Sequence, residues 1–98
     1  MIKNFTNKSI EEFYITGKSK HISPEIAKVA LRKVALRKLD YLNSAITLED
    51  LKIPPANRLE RLKGDLKDFY SIRINKQYRV IFKFINGNVY DVNIVDYH

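Results

Sequence analysis

Two arginines at mid-strand positions and a histidine at the chain's last position carry the clearest chemistry in this sequence. From Arg58 onward the apolar residues recur at every second position, the period of extended chain. That period predicts strands over residues 58–63, 69–74, 78–85 and 89–96. Tyr70, Ile72 and Ile74 then share one side of their strand. Tyr78, Val80, Phe82 and Phe84 share one side of the next, and Tyr90, Val92 and Ile94 one side of the last. The opposite face presents Ser71, Arg73, Arg79, Lys83, Asp91 and Asn93. A solvated face needs only mixed charge. Arginines in mid-strand, however, suit phosphate, because the planar guanidinium offers parallel donors to two oxygens. The sequence closes on Asp96-Tyr97-His98. A terminus is commonly frayed, yet this one follows directly from a strand, so the sheet edge is expected to hold it. His98 also carries the α-carboxylate, and an anion beside an imidazole raises its proton affinity and makes it a better proton carrier near neutral pH.

The elements that must position these groups are legible around them. Asn86-Gly87 is a two-residue hairpin signal, and Asn75-Lys76-Gln77 reads as the preceding turn. Ile2 to Phe5 alternates weakly, as a short edge strand would. Ser9 with Glu12 has the spacing of a capping box, and Gly17 suits a left-handed helix end. Ser23-Pro24-Glu25 predicts a second helix reaching about Asn43. On it Ala27, Ala30, Leu31, Val34, Ala35, Leu39, Tyr41 and Leu42 share one broad side, with Lys33, Arg37 and Asp40 on the other. This helix contains a tandem repeat, Val29-Ala-Leu-Arg-Lys33 followed by Val34-Ala-Leu-Arg-Lys38. Five residues turn the second copy by about 140°. The repeat therefore reads either as added length on a solvated helix or as a basic ridge for RNA or an acidic partner. Thr47 caps a further turn to Leu51, and Pro54-Pro55 marks the hinge between helices and strands. The resulting class is α+β, helices first and an antiparallel meander after them.

Length and composition narrow the function. Ninety-eight residues are expected to form a single domain, residues 1–98. The absence of cysteine removes disulfides, thiolate zinc sites and cysteine nucleophiles, and two histidines do not make a multi-histidine metal cluster. Neither a metal nor another cofactor is expected. No apolar run has the roughly 18 residues that span a bilayer, and the first residues show no signal-peptide core, so a cytoplasmic protein is expected. The net charge of +7 points to polyanions or an acidic protein. Residues 1–44 carry nine basic and four acidic side chains, and residues 45–98 carry nine and seven. His21, in the Lys18-Ser-Lys-His21 loop, reads as solvated. Tyr78 is a candidate for stacking on a base.

Four segments together resemble a known family. They are Asn57-Arg-Leu-Glu-Arg-Leu-Lys-Gly-Asp65, Tyr70-Ser-Ile-Arg-Ile-Asn75, Gln77-Tyr-Arg-Val-Ile-Phe82 and Val95-Asp-Tyr-His98. In this order they are similar to HigB-type toxins of the RelE/ParE superfamily, from bacterial type II toxin–antitoxin systems. The resemblance spans nearly the whole chain and is weakest in the long helix. It implies a microbial RNase (RelE-like) fold, with two N-terminal helices packed on a twisted antiparallel sheet of four to five strands. It implies an mRNA interferase, an endoribonuclease that cuts messages in the ribosomal A site, against 16S rRNA, and inhibits translation. As partner it implies a HigA-like helix-turn-helix antitoxin. The toxin is expected to be a monomer alone and part of a heterotetramer with an antitoxin dimer.

By motif match the resemblance implies functional roles for Lys63, Arg79, Asp96, Tyr97 and His98. The cations Arg73, Lys83 and Arg61 are further candidates for RNA binding. One position departs from the family pattern. Several members have histidine where this chain has Glu60, and a sub-branch similar to the GraT toxins carries glutamate there. RNA cleavage by 2′-OH attack needs a base, cations on the phosphate and an acid for the leaving oxygen. Glu60 or Asp96 is available as base, Arg79 and Lys63 for the phosphate, and His98 as acid or base. Tyr97 can stack on a base or orient the phosphate. A carboxylate ordinarily titrates near 4.3 and an imidazole near 6.5, roughly two units apart, so a slow enzyme is expected, with roles divided between Glu60 and His98. The alternative is a toxin that acts by binding alone, through ribosome-assembly interference or ParE-like gyrase inhibition. A generic RNA-binding domain is a third class.

Overall fold

The computed structural model describes residues 1–96, and the roles expected of Tyr97 and His98 fall outside the described residues. In chain order the elements are α1 (Lys8–Thr16), α2 (Pro24–Ala27), α3 (Val29–Ser44), β1 (Glu60–Arg61), β2 (Tyr70–Arg73), β3 (Tyr78–Ile85) and β4 (Asn88–Asp96). Single 3-10 turns lie at Leu48–Lys52, Pro55–Asn57 and Gly64–Leu66. The strands form one antiparallel sheet in the order β1-β2-β3-β4. The α+β class and the four-stranded sheet agree with expectation.

Alternation holds best along β3, where Tyr78, Val80 and Phe82 are all buried against the helices. Asn86 and Gly87 both take positive φ, 51° and 80°, the left-handed geometry of a two-residue hairpin. Asn75 closes the preceding turn, its side-chain oxygen accepting from the Gln77 and Tyr78 amides at 2.9 and 2.7 Å. The weak N-terminal strand is also present. Ile2 and Phe5 bridge Val89 and Val92 in parallel, through amide bonds such as Lys3 N to Val89 O at 2.7 Å. The core between helices and sheet is filled by Phe13, Ile26, Leu39, Leu42, Ile72, Val80, Phe82, Val89 and Val92, each at most 2% exposed. Each such side chain contributes about 1.5–3 kcal/mol of burial.

Several local expectations are corrected. The first helix is capped not by a Ser9–Glu12 box but by Asn7, whose side-chain oxygen accepts from the Ser9 amide at 2.8 Å. Gly17 ends it at φ 78°, as expected. Ser23 precedes Pro24 but makes no side-chain cap bond. Its hydroxyl is instead shared with Glu25 Oε2 (2.7 Å) and the Tyr78 hydroxyl (2.8 Å). The long helix is not continuous, because Lys28 is extended at ψ 142° and separates α2 from α3. The reason is geometric. Ile26 and Ala35 are both buried, yet nine residues on a straight helix put them about 180° apart. Breaking the helix at Lys28 lets both reach the core, and it leaves Ala27 and Ala30, expected on the apolar side, exposed. The buried stripe of α3 is Ala35, Lys38, Leu39 and Leu42. Thr47 does cap the next turn, in a reciprocal box with Asp50.

The strand edges also differ. β1 is only two residues long, because Arg58 is left-handed (φ 47°) and the Gly64–Leu66 turn follows closely. In β4 the register slips. Ile81 faces Asn93 but Lys83 faces Tyr90, so two residues of β3 oppose three of β4. Asp91, at φ 54°, takes the bulge. Asn4 fixes it by a reciprocal pair, Asn4 Nδ2 to Asp91 Oδ1 at 2.8 Å and Asp91 N to Asn4 Oδ1 at 2.9 Å. The slip sends Val89 into the core and turns Tyr90 to the Lys83 side, reversing the side predicted for Tyr90.

Candidate active site

The face of the sheet away from the helices carries the site. Antiparallel partners share a face, so the pairs Glu60–Ser71, Ser71–Ile81 and Arg73–Arg79 place these side chains together. Arg73 and Arg79 are direct cross-strand partners. Like charges at such positions destabilise a sheet, and the structure turns the two guanidiniums to different acceptors. Arg73 Nε donates to Asn75 O at 3.0 Å. Arg79 Nη1 donates to Ser71 Oγ at 2.7 Å and to Arg58 O at 3.3 Å, while Nη2 reaches Glu60 Oε1 at 3.2 Å. The Arg79 side chain is 12% exposed and that of Glu60 51% exposed. An ion pair so open to solvent adds about 0.2–1 kcal/mol. It positions the guanidinium more than it stabilises the fold.

These groups surround a cleft of about 300 Å³ lined by Arg58, Glu60, Arg73, Asn75, Lys76 and Arg79. It offers cations for an oxyanion and one carboxylate to accept a proton. Among the described residues no cluster of three or more His, Cys, Asp or Glu side chains is arranged to hold a metal ion.

The remaining candidates are distributed around this cleft rather than in it. Asp96 pairs with Tyr78, beside Arg79 in sequence but on the helix side of the sheet, and its Oδ2 accepts from Gln77 Nε2 at 2.9 Å. Lys63 is exposed just before the Gly64–Leu66 turn. Arg61 faces the other way from Glu60, since it pairs with Tyr70, and its Nε donates to Lys67 O at 3.4 Å. Lys83 is bound to Asp91 at 3.3 Å and lies 5.1 Å over the Phe69 ring. Arg61 and Lys83 share a separate hollow with Asp68 and Tyr70. Tyr78 is buried, and its hydroxyl donates to Glu25 Oε2 at 2.6 Å. That bond draws the Glu25 carboxyl below its usual range and pushes the Tyr78 phenol up. A phenol so held is not available for stacking.

Two contributors were not read from the sequence. Ser71 was placed on the polar face, but its burial and its bond to Arg79 depend on register. The Arg58 carbonyl reaches Arg79 through the left-handed turn at Arg58, which no glycine or asparagine announces.

Comparison with known proteins converges on one family. The model described as RelE-like toxin of type II toxin–antitoxin system HigB matches residues 3–98. Toxin HigB-1 of Vibrio cholerae serotype O1 is 44% identical over 87 residues, covering 89% of this chain and 87% of that protein. Endoribonuclease HigB of Proteus vulgaris is 28% identical over 99 residues and is covered in full. In fold, the chain is similar to a solved YoeB-YefM toxin–antitoxin heterotetramer from Staphylococcus aureus, with TM-score 0.61, 19% identity, and 100% and 95% of the two chains covered. It is also similar to YafQ from E. coli strain BL21(DE3), with TM-score 0.53, 13% identity, and 97% and 88% covered. No helix among the described residues is long and apolar enough to cross a membrane.

Proposed function

Because the chain belongs to the RelE-like HigB toxins of type II toxin–antitoxin systems, we propose that it is an endoribonuclease that cuts messenger RNA in the ribosomal A site. The observation that supports this best is the Arg73–Arg79 pair facing each other across the ladder, with the Glu60 carboxylate on Arg79. Like charges so placed work against the sheet, and Arg73 has no carboxylate partner among the described residues. A phosphodiester entering the cleft supplies the anion that makes the arrangement favourable.

In this reading Glu60 takes the proton from the ribose 2′-OH, and the 2′-oxygen attacks the adjacent phosphorus. Arg79, oriented by Ser71 and the Arg58 carbonyl, stabilises the five-coordinate phosphate, with Arg73 beside it. His98 gives a proton to the departing 5′-oxygen, leaving a 2′,3′-cyclic phosphate and a free 5′-hydroxyl. Asp96 and Lys63 contact the substrate from outside the cleft, and Tyr97 stacks on a base or orients the phosphate. The endoribonuclease name of the Proteus relative supports the activity. The heterotetramer of the Staphylococcus neighbour supports a tight antitoxin complex, here with a HigA-like helix-turn-helix dimer. The site of action is the cytoplasm, where ribosomes translate, with 16S rRNA as the docking surface.

The test is primer-extension mapping of message ends after expression, with and without translating ribosomes. Cuts that need ribosomes and vanish in Arg79→Ala and in a chain lacking His98 are expected. Cleavage unchanged in both variants sinks the assigned site. DNA-damage signalling without message cleavage would point instead to gyrase.

A further inference from the structure

The cleft does not end at Arg73. Arg58, Arg73 and Asn75 also line a second hollow of about 400 Å³, which Arg37 and Lys38 enter from α3. Four of its lining residues are cations and none is an acid. One of them is built in rather than merely solvated. Lys38 is 4% exposed, lies on the buried stripe of α3, and donates its ammonium to the Asn57 side-chain oxygen. Asn57, fully buried, is itself fixed by donating to Leu51 O at 3.1 Å and Ile53 O at 3.3 Å. An ammonium has three donors, and Lys38 has no carboxylate partner among the described residues. Burial, with Arg37 alongside, pulls its pKa down, which an anion in the hollow would reverse. The Asn57 bond and the Tyr41 ring, 5.6 Å away, hold the ammonium in place but supply no opposite charge, so its cost of burial is only partly offset.

The tandem repeat explains how the hollow acquires its charge. The two copies differ by about 140° around the helix. Arg32 of the first copy lines a different hollow, with Phe13 and Lys18, and Lys33 is exposed. Only the second copy, Arg37-Lys38, reaches the hollow that adjoins the Arg79 cleft.

We infer that this hollow is a phosphate subsite for single-stranded RNA, holding the backbone of a nucleotide next to the one cleaved, with Arg37, Lys38, Arg58 and Arg73 as its donors. The assignment of the strand rests on the endoribonuclease reading; the anion site itself does not. The two copies of the repeat are functionally unequal, and only the second is a backbone clamp.

The experiment uses the full chain and fluorescein-labelled RNA with a 2′-deoxy substitution at the scissile position, so that binding is read without cleavage. Lengthening the strand one nucleotide at a time should raise affinity on one side only, by about tenfold at 0.1 M salt. Arg37→Ala and Lys38→Met should each remove that gain and reduce the slope of log affinity against log salt by about 0.7. Arg32→Ala and Lys33→Ala should leave both unchanged. Thermal melting checks that Lys38→Met is folded, and the exposed Arg37 gives the same answer independently. A gain that survives Arg37→Ala, or is lost equally in Arg32→Ala, overturns the subsite. Polyglutamate binding abolished by Arg37→Ala, with the RNA series unchanged, assigns the hollow to an acidic protein and also overturns it. Wild-type protein that shows the one-sided gain but cuts no message would remove the nuclease and keep the subsite.

Discussion

Arg79 and Lys83 are two cations four residues apart on the same face of β3, and their surroundings differ in kind. Arg79 is 12% exposed and held, among the described residues, by acceptors from two other segments of the chain, Arg58 to Glu60 and Ser71. Lys83, 34% exposed, has one carboxylate and one ring. Its carboxylate belongs to the β4 bulge, which Asn4 also holds. Around Arg79 the contacts aim a guanidinium into a cleft. Around Lys83 they close a seam between β3, β4 and the N-terminal segment. The same strand thus holds a pre-aimed charge at one end and a structural clasp at the other, and charge alone does not tell them apart.

Substitutions should separate the two ends. Arg79→Ala is expected to lower ribosome-dependent cleavage by about 10²–10³, the loss seen when one pre-aimed donor to a developing anion is removed, with a small change in melting temperature. Comparable cleavage would break the contrast. Glu60→Gln keeps an oxygen for Arg79 but loses the proton acceptor, and a loss of about 10² in single-turnover rate is expected. An equally active variant would move the base elsewhere, to Asp96 first. Ser71→Ala removes the shortest bond to Arg79 and should lower kcat/KM by about fivefold to tenfold, in line with one hydrogen bond to a charged group. Lys83→Met should change cleavage by less than about threefold, since its partners are structural.

The Lys83 end should instead respond to pH through stability. The Asn4 hydrogen bond, then Lys83, holds the Asp91 carboxyl below its usual range. A depressed folded value means the folded state binds fewer protons. The contribution is therefore complete above the ordinary carboxylate value and is lost as pH falls through the depressed one. Melting temperature of the wild type should drop over that acid window more steeply than that of Asp91→Asn. Parallel curves would remove Asp91 from the seam.

Much of this was legible because it depends on short-range rules. β3 and the Asn86-Gly87 turn follow from strict alternation and a dipeptide that tolerates positive φ. Gly17 and the Thr47 cap follow from local backbone needs. What was not legible depends on distant partners. The break at Lys28 exists because Ile26 and Ala35 must both be buried. Tyr90 and Val89 exchange sides because Asn4, from the other end of the chain, stabilises a bulge at Asp91. Ser23 is diverted from capping by Tyr78. In the site, Glu60 and Arg79 could be named from motif order, but their meeting depends on β1 pairing with β2 in one register. That register also sends Arg61 to the opposite face and leaves Lys63 outside the cleft. The burial of Lys38 had no signal, because a lysine on a helix is ordinarily read as solvent-facing.

The parallel N-terminal segment has a consequence for how the toxin is made. Its partners, Val89 and Val92, lie more than 80 residues further along the chain. A nascent chain that has not yet delivered β4 has no seat for Ile2 to Thr6, no seam at Asp91 and no second neighbour for the strand that bears Arg79. Contacts of such long sequence separation form late, after the loop-closure entropy has been overcome. The strand that bears Arg79 therefore gains both of its sheet neighbours only after β4 has folded onto it, and the N-terminal segment is seated last.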